Sequence, residues 1–174
     1  MRRHQPRKRF AVPRLWLLLA GLETGVIAGG VALLYWMLAS SVRGDGPWAV
    51  LNLWGSVFFP GRPLSSSFSQ ASLSGAALHL LLSGLVGLLC SFLLVKYVAR
   101  PGRSLFVGLL LGLAWYLASF RWLWPLFSVA LVVYQPFPAM LVGYLLFGVS
   151  LGLYPEFVRR LGMTRAPERE SPFL

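Results

Sequence analysis

Four stretches of the chain carry almost no charged side chain, and shorter polar or aromatic intervals separate them. They run from about Leu15 to Ser40, Ser74 to Val98, Ser104 to Phe120 and Pro138 to Val158. A helix rises 1.5 Å per residue, so about 20 residues cross the hydrocarbon core of a bilayer, and each stretch is near that length. Lipid offers the backbone no hydrogen bonds, so each stretch predicts an α-helix. A membrane barrel would show segments of about ten alternating residues instead. The pattern predicts an all-α membrane protein with four transmembrane helices. Its domain covers residues 15–160, between a basic tail (1–14) and a disordered polar tail (161–174).

Basic residues set the direction. The N-terminal tail, the second connection (Lys96, Arg100, Arg103) and the C-terminal tail together hold 13 of them. The first and third connections hold three: Arg43, Arg62 and Arg121. The positive-inside rule then predicts both termini in the cytoplasm, and the inner (plasma) membrane as the location. The N-terminus is basic like a signal peptide, but its apolar run is too long and no clean cleavage site closes it.

The two outer connections are aromatic. Trp48, Trp54, Phe58 and Phe59 lie between Pro47 and Pro63, with Asn52 among them. Trp122, Trp124, Phe127, Tyr134 and Phe137 lie between Arg121 and Pro138. Trp and Tyr favour membrane–water interfaces, so both connections are predicted to be interfacial or re-entrant segments on the outer side. Asp45 sits in Arg43-Gly-Asp-Gly-Pro, a turn in which Arg43 offsets its charge.

Composition narrows the function classes. The chain is 57% hydrophobic and 12% charged, half the charge of an ordinary soluble domain (about 25%), which argues against a soluble protein. Cys90 is the only cysteine, which removes disulfide scaffolds and thiolate clusters. Two histidines, five acidic residues and no Gly-rich phosphate loop leave no catalytic set, no metal site and no cofactor site to predict. The net charge of +11 sits in flanks and short loops, so the expected partner of the basic tail is anionic lipid headgroups, not nucleic acid.

Small residues recur every fourth position: Gly21, Gly25 and Gly29, then Ser83, Gly87 and Ser91, then Gly108 and Gly112, then Gly148 and Gly152. Such stripes let helix backbones approach closely. Glu23 falls about 12 Å into the first helix, near the midplane, where a carboxylate facing lipid costs several kcal/mol. By depth, Ser150 or Ser83 is its expected partner within the chain, and a partner subunit is the alternative. His79 is expected near Tyr116. Ser83 follows His79 by four residues, on the same face, but no nucleophile elbow accompanies the pair.

A weak repeat links the halves. Tyr35-Trp36-Met37-Leu38-Ala39-Ser40 resembles Trp115-Tyr116-Leu117-Ala118-Ser119, and His79-Leu-Leu with Gly87 resembles Tyr144-Leu-Leu with Gly152. Each half reads as helix, aromatic outer segment, helix, as in repeat-built transporters. The run Gly21-Leu-Glu-Thr-Gly, with the His79 and Tyr144 segments, resembles small uncharacterised four-pass bacterial inner-membrane proteins. That resemblance implies four spans and brings no known activity. Glu23 in a first span of four also resembles small multidrug transporters, although their loops are tighter. The expected function is non-enzymatic: an accessory, assembly or structural subunit joined to a protein partner or to its own copies through the membrane helices. The alternative is a small proton- or cation-coupled transporter using Glu23.

Overall fold

The computed structural model describes residues 14–60, 65–127, 131, 133–134 and 137–163. The basic tail up to residue 13, Arg62, and the C-terminal tail from residue 164 lie outside them. In chain order the elements are α1 (Arg14–Val42), α2 (Ala49–Gly55), α3 (Gln70–Leu94) with a 3-10 turn (Val95–Tyr97), and α4 (Pro101–Ala118). A π-helical turn (Ser119–Leu123) leads into the single turn α5 (Trp124–Phe127), followed by α6 (Phe137–Gly152) and α7 (Tyr154–Met163). Every regular element among the described residues is helical, without strands, and four helical stretches are long and apolar enough to cross a membrane: Arg14–Val42, Gln70–Tyr97, Pro101–Phe127 and Pro138–Leu161. This is the make-up of a multi-pass membrane protein.

The third helical stretch outruns the expected boundary at Phe120. Pro125 has no N–H to send back to Arg121, and a regular helix would clash there. The π turn widens the helix just before it, and Trp124 N–H bonds to Ser119 C=O. The added residue also rotates the following turn, so Trp124 faces inward and is fully buried. Its neighbour Trp122 stays exposed.

Two antiparallel helix pairs form the frame. Lipid tails are as apolar as leucine, so these pairs depend on close packing. In the α1–α3 pair a Cβ on Gly25 would strike the Ser83 carbonyl and come within 2.8 Å of Gly87 Cα. One on Gly21 would lie 2.6 Å from Ser91 Cβ, and one on Gly29 2.5 Å from Ser83 Cβ. In the α4–α6 pair a Cβ on Gly108 would lie 2.5 Å from the Gly148 carbonyl, and one on Gly112 2.7 Å from Gly148 Cα. Gly152 closes the seam against Leu105, with 2.6 Å to its Cα.

α1 also joins the two pairs. Trp36 Nε1–H donates to the Ala139 carbonyl at 3.1 Å, and the Tyr154 hydroxyl donates to the Leu17 carbonyl at 3.1 Å. The side of α1 that carries Ala20, Thr24, Ala28, Ala32 and Trp36 is accordingly buried.

α2 folds back against α3. Val50 to Gly55 are all buried, so this part of the first aromatic connection covers protein. The approach needs glycine on both sides: a Cβ on Gly75 would fall on the Leu51 carbonyl, and one on Gly55 on the Ala71 carbonyl. Asn52 holds the corner. Its Nδ2 donates to the carbonyls of Ser65 (2.6 Å) and Ser67 (2.8 Å), and its Oδ1 accepts from the hydroxyls of Ser69 (3.0 Å) and Ser72 (2.6 Å). Before α2, Gly44 and Gly46 take φ of +89° and +83°, the left-handed region that glycine enters freely. Arg43 pairs with Asp45 there at 3.2 Å.

Candidate functional site

The largest gathering of aromatic and polar side chains draws on both helix pairs and both connections. Trp36 (α1), Trp54 (α2), His79 (α3), Tyr116 (α4), Trp124 (α5) and Tyr144 (α6) are all buried. Trp54 sits at the centre: 4.6 Å from His79 and 4.5 Å from Trp124, both edge-on, and stacked on Trp36 at 6.1 Å. Trp36 in turn meets His79 and Tyr144, each at 5.3 Å. Tyr116 meets Tyr144 at 5.4 Å and Phe120 at 4.8 Å. Edge-to-face pairs of this kind add about 0.5–1.5 kcal/mol each beyond the area they bury.

A repeat matching His79 and Gly87 to Tyr144 and Gly152 does not extend to the other two rings: Gly87 meets Gly25 and Gly152 meets Gly108, a register that sets Trp36 opposite Ser119 and not Tyr116. The Trp36–His79 pair has centroids 5.3 Å apart at 69°, and the Tyr116–Tyr144 pair 5.4 Å apart at 69°. The two ring pairs are alike in geometry but do not occupy equivalent positions.

His79 has a defined tautomer. Its Nε2 lies 3.0 Å from the Gly29 carbonyl, which can only accept, so Nε2 carries the proton. Ser83 Oγ lies 3.5 Å from the same nitrogen. A protonated Nε2 has no lone pair to take the Ser83 proton, so this Ser–His pair is not arranged as nucleophile and base. Nδ1 is left as an acceptor without a partner. Among the described residues the indole N–H groups of Trp54 and Trp124 and the hydroxyls of Tyr144 and Ser119 are buried without a hydrogen bond as well. Ser119 and Trp124 neighbour the Tyr144 hydroxyl without reaching hydrogen-bond geometry. Among the described residues no three His, Cys, Asp or Glu side chains come together to hold a metal.

Made and unmade bonds here have different expected costs. Trp36→Phe removes the bond to Ala139 and leaves a void where the indole packs on Gly143, and is expected to destabilise by about 1–3 kcal/mol. Tyr144→Phe removes a hydroxyl with no hydrogen bond among the described residues and is expected to be neutral or slightly stabilising. Thermal unfolding of the two variants in one detergent gives the comparison.

Of the expected site residues, the structure brings together His79 and Ser83, and Tyr116 enters their cluster through Tyr144. Glu23 and Ser150 stand apart. Depth makes Ser150 or Ser83 the expected partner of Glu23, but the structure joins Glu23 to neither. The reason is rotation about the helix, not height. α3 and α6 pack on the side of α1 that carries Gly21, Gly25, Ala28 and Ala32, and at 100° per residue Glu23 lies on the far side. It is exposed there with Leu19, Ile27 and Leu34, and a Cβ on neighbouring Gly30 would meet nothing within 4 Å.

Sequence reasoning missed Asn52 and the buried roles of Trp36, Trp54, Trp124 and Tyr144. An amide inside an apolar connection, followed by a serine-rich run able to satisfy it, was the available signal for Asn52. No protein-family model, curated protein or solved structure matches the chain.

Proposed function

We propose that this protein is a non-catalytic subunit of a larger membrane complex, and that the Glu23 face of α1 receives a transmembrane helix of a partner protein. The carrying observation is that Glu23 is exposed, nine residues into a 29-residue apolar helix, with no partner among the described residues. A lipid-facing carboxylate about 13 Å from the helix start costs several kcal/mol, whereas a partner helix offering a hydroxyl, an amide or a cation at that depth removes the cost. Gly30, two turns along the same face, leaves a notch for close approach. The distribution of basic residues supports cytoplasmic termini, and with them an inner-membrane location.

The transporter alternative needs Glu23 on an internal path, and its outward position argues against that. Extraction in a mild detergent at native expression separates the two readings. Glu23→Gln keeps a hydrogen-bonding amide, so it is expected to keep the complex. Glu23→Ala is expected to release the subunit while leaving its own fold intact. A wild-type protein that runs as a lone monomer contradicts the proposal. Loss of ion flux in proteoliposomes on Glu23→Gln would establish the transporter instead.

A further inference from the structure

We infer a binding site for one acidic phospholipid at the basic end of the α1–α3 pair, away from the Glu23 face. The small-residue seam ends at Gly21 and Ser91, and beyond it the two helices carry bulky side chains. A crevice of about 330 Å³ opens there, lined by Arg14, Leu17 and Leu18 of α1, Ser91 and Phe92 of α3, and Val95 just after it. This volume is at the low end for a small-molecule pocket and matches part of an acyl chain better than a whole lipid. The Ser91 hydroxyl already donates to the Leu88 carbonyl at 2.6 Å, so it makes no demand on an occupant. The interior is therefore apolar, with one cation at its mouth.

Among the described residues that cation has no acidic partner. The described residues contain three carboxylates. Asp45 is paired with Arg43, and Glu156 with Arg159 and Arg160. Glu23 lies nine residues along α1, about 13 Å away. Lys96, Arg100 and Arg103 are exposed at the same end, also without a carboxylate. An apolar slot inside a membrane, capped by positive charge, selects a molecule with a hydrocarbon chain and a phosphate. Basic pockets beside membrane helices hold anionic headgroups in this way.

The test is native mass spectrometry of the full chain in mild detergent, titrated with phosphatidylglycerol or with phosphatidylcholine of the same acyl composition. The wild type is expected to retain one phosphatidylglycerol several-fold more strongly than phosphatidylcholine. Arg14→Gln is expected to lower that retention about fivefold, the effect of one basic residue at a membrane surface. Leu18→Trp fills the slot and is expected to weaken both lipids. Arg121→Gln, on the third connection, is expected to change nothing. Unchanged thermal unfolding of each variant ties these losses to the site. Equal retention of the two lipids by the wild type, or an Arg14→Gln variant that binds as before, overturns the inference. Displacement of the lipid by millimolar inorganic phosphate would make it a free-anion site and overturn it equally.

Discussion

Gly25→Leu is expected to abolish the folded bundle, and Gly30→Ala, five residues away on the same helix, to leave it intact. Even the first added carbon at Gly25 runs into the Ser83 carbonyl and Gly87 Cα, which are backbone and cannot swing aside. α1 and α3 must separate, and the contacts at Gly21 and Gly29 lengthen with them. Overpacking a core usually costs about 1–3 kcal/mol, and a collision between two backbones belongs at or beyond the top of that range. No hydrophobic driving force in lipid offsets the loss. At Gly30 the added carbon meets nothing, and alanine favours helix over glycine by up to about 1 kcal/mol. Size-exclusion profiles and thermal unfolding of the two variants provide the check. A monodisperse Gly25→Leu protein with wild-type stability would mean that α1 and α3 do not meet through this seam. The Gly25 contact also changes the reading of the glycine stripe: it builds the fold of one chain, so a defect at Gly25 does not report on partner association.

Asn52→Leu is the second substitution with a large expected effect. The side chain is fully buried and uses both its donors and its acceptor. Leucine matches its volume roughly but leaves two carbonyls and two serine hydroxyls without their partner. Of these residues only Ser72 is buried, both hydroxyls keep their capping-box contacts and water reaches the rest, so a loss of about 1–3 kcal/mol is expected. Asn52→Asp is expected to fare no better, because a carboxylate cannot donate to the Ser65 and Ser67 carbonyls. The expected signature is local: α2 detaches while the glycine seams hold. Limited proteolysis between residues 44 and 69, alongside unfolding of the whole bundle, distinguishes a local from a global loss. If Asn52→Leu is as protease-resistant as the wild type, the amide network does not hold α2 in place.

Hydropathy made the four spans legible in the sequence, because length and the absence of charge are sufficient to define a crossing helix. Glycine spacing marked the helix faces able to approach closely, though not which face met which. Depth along a helix was also legible, and it led to the wrong partner for Glu23, since a residue's height says nothing about which neighbours occupy its side. The aromatic connections were harder still. Trp54 and Trp124 have the composition of interfacial anchors, yet they are buried in the cluster around His79. What buries Trp54 is the Gly55–Gly75 approach and the Asn52 network, a long-range pairing that no local pattern announces. What buries Trp124 is the π turn ahead of Pro125, which changes the register by one residue.

The outward Glu23 face of α1 is the centre of the functional account. The most direct measurement places a photo-crosslinking amino acid at Ile27, between Glu23 and Gly30, and in a second protein at Leu89 on the exposed side of α3. Both are activated in native membranes. The account predicts one discrete protein adduct from Ile27, lost in the Glu23→Ala and Gly30→Leu backgrounds, and none from Leu89. No protein adduct from Ile27, or equal adducts from the two positions, would contradict it.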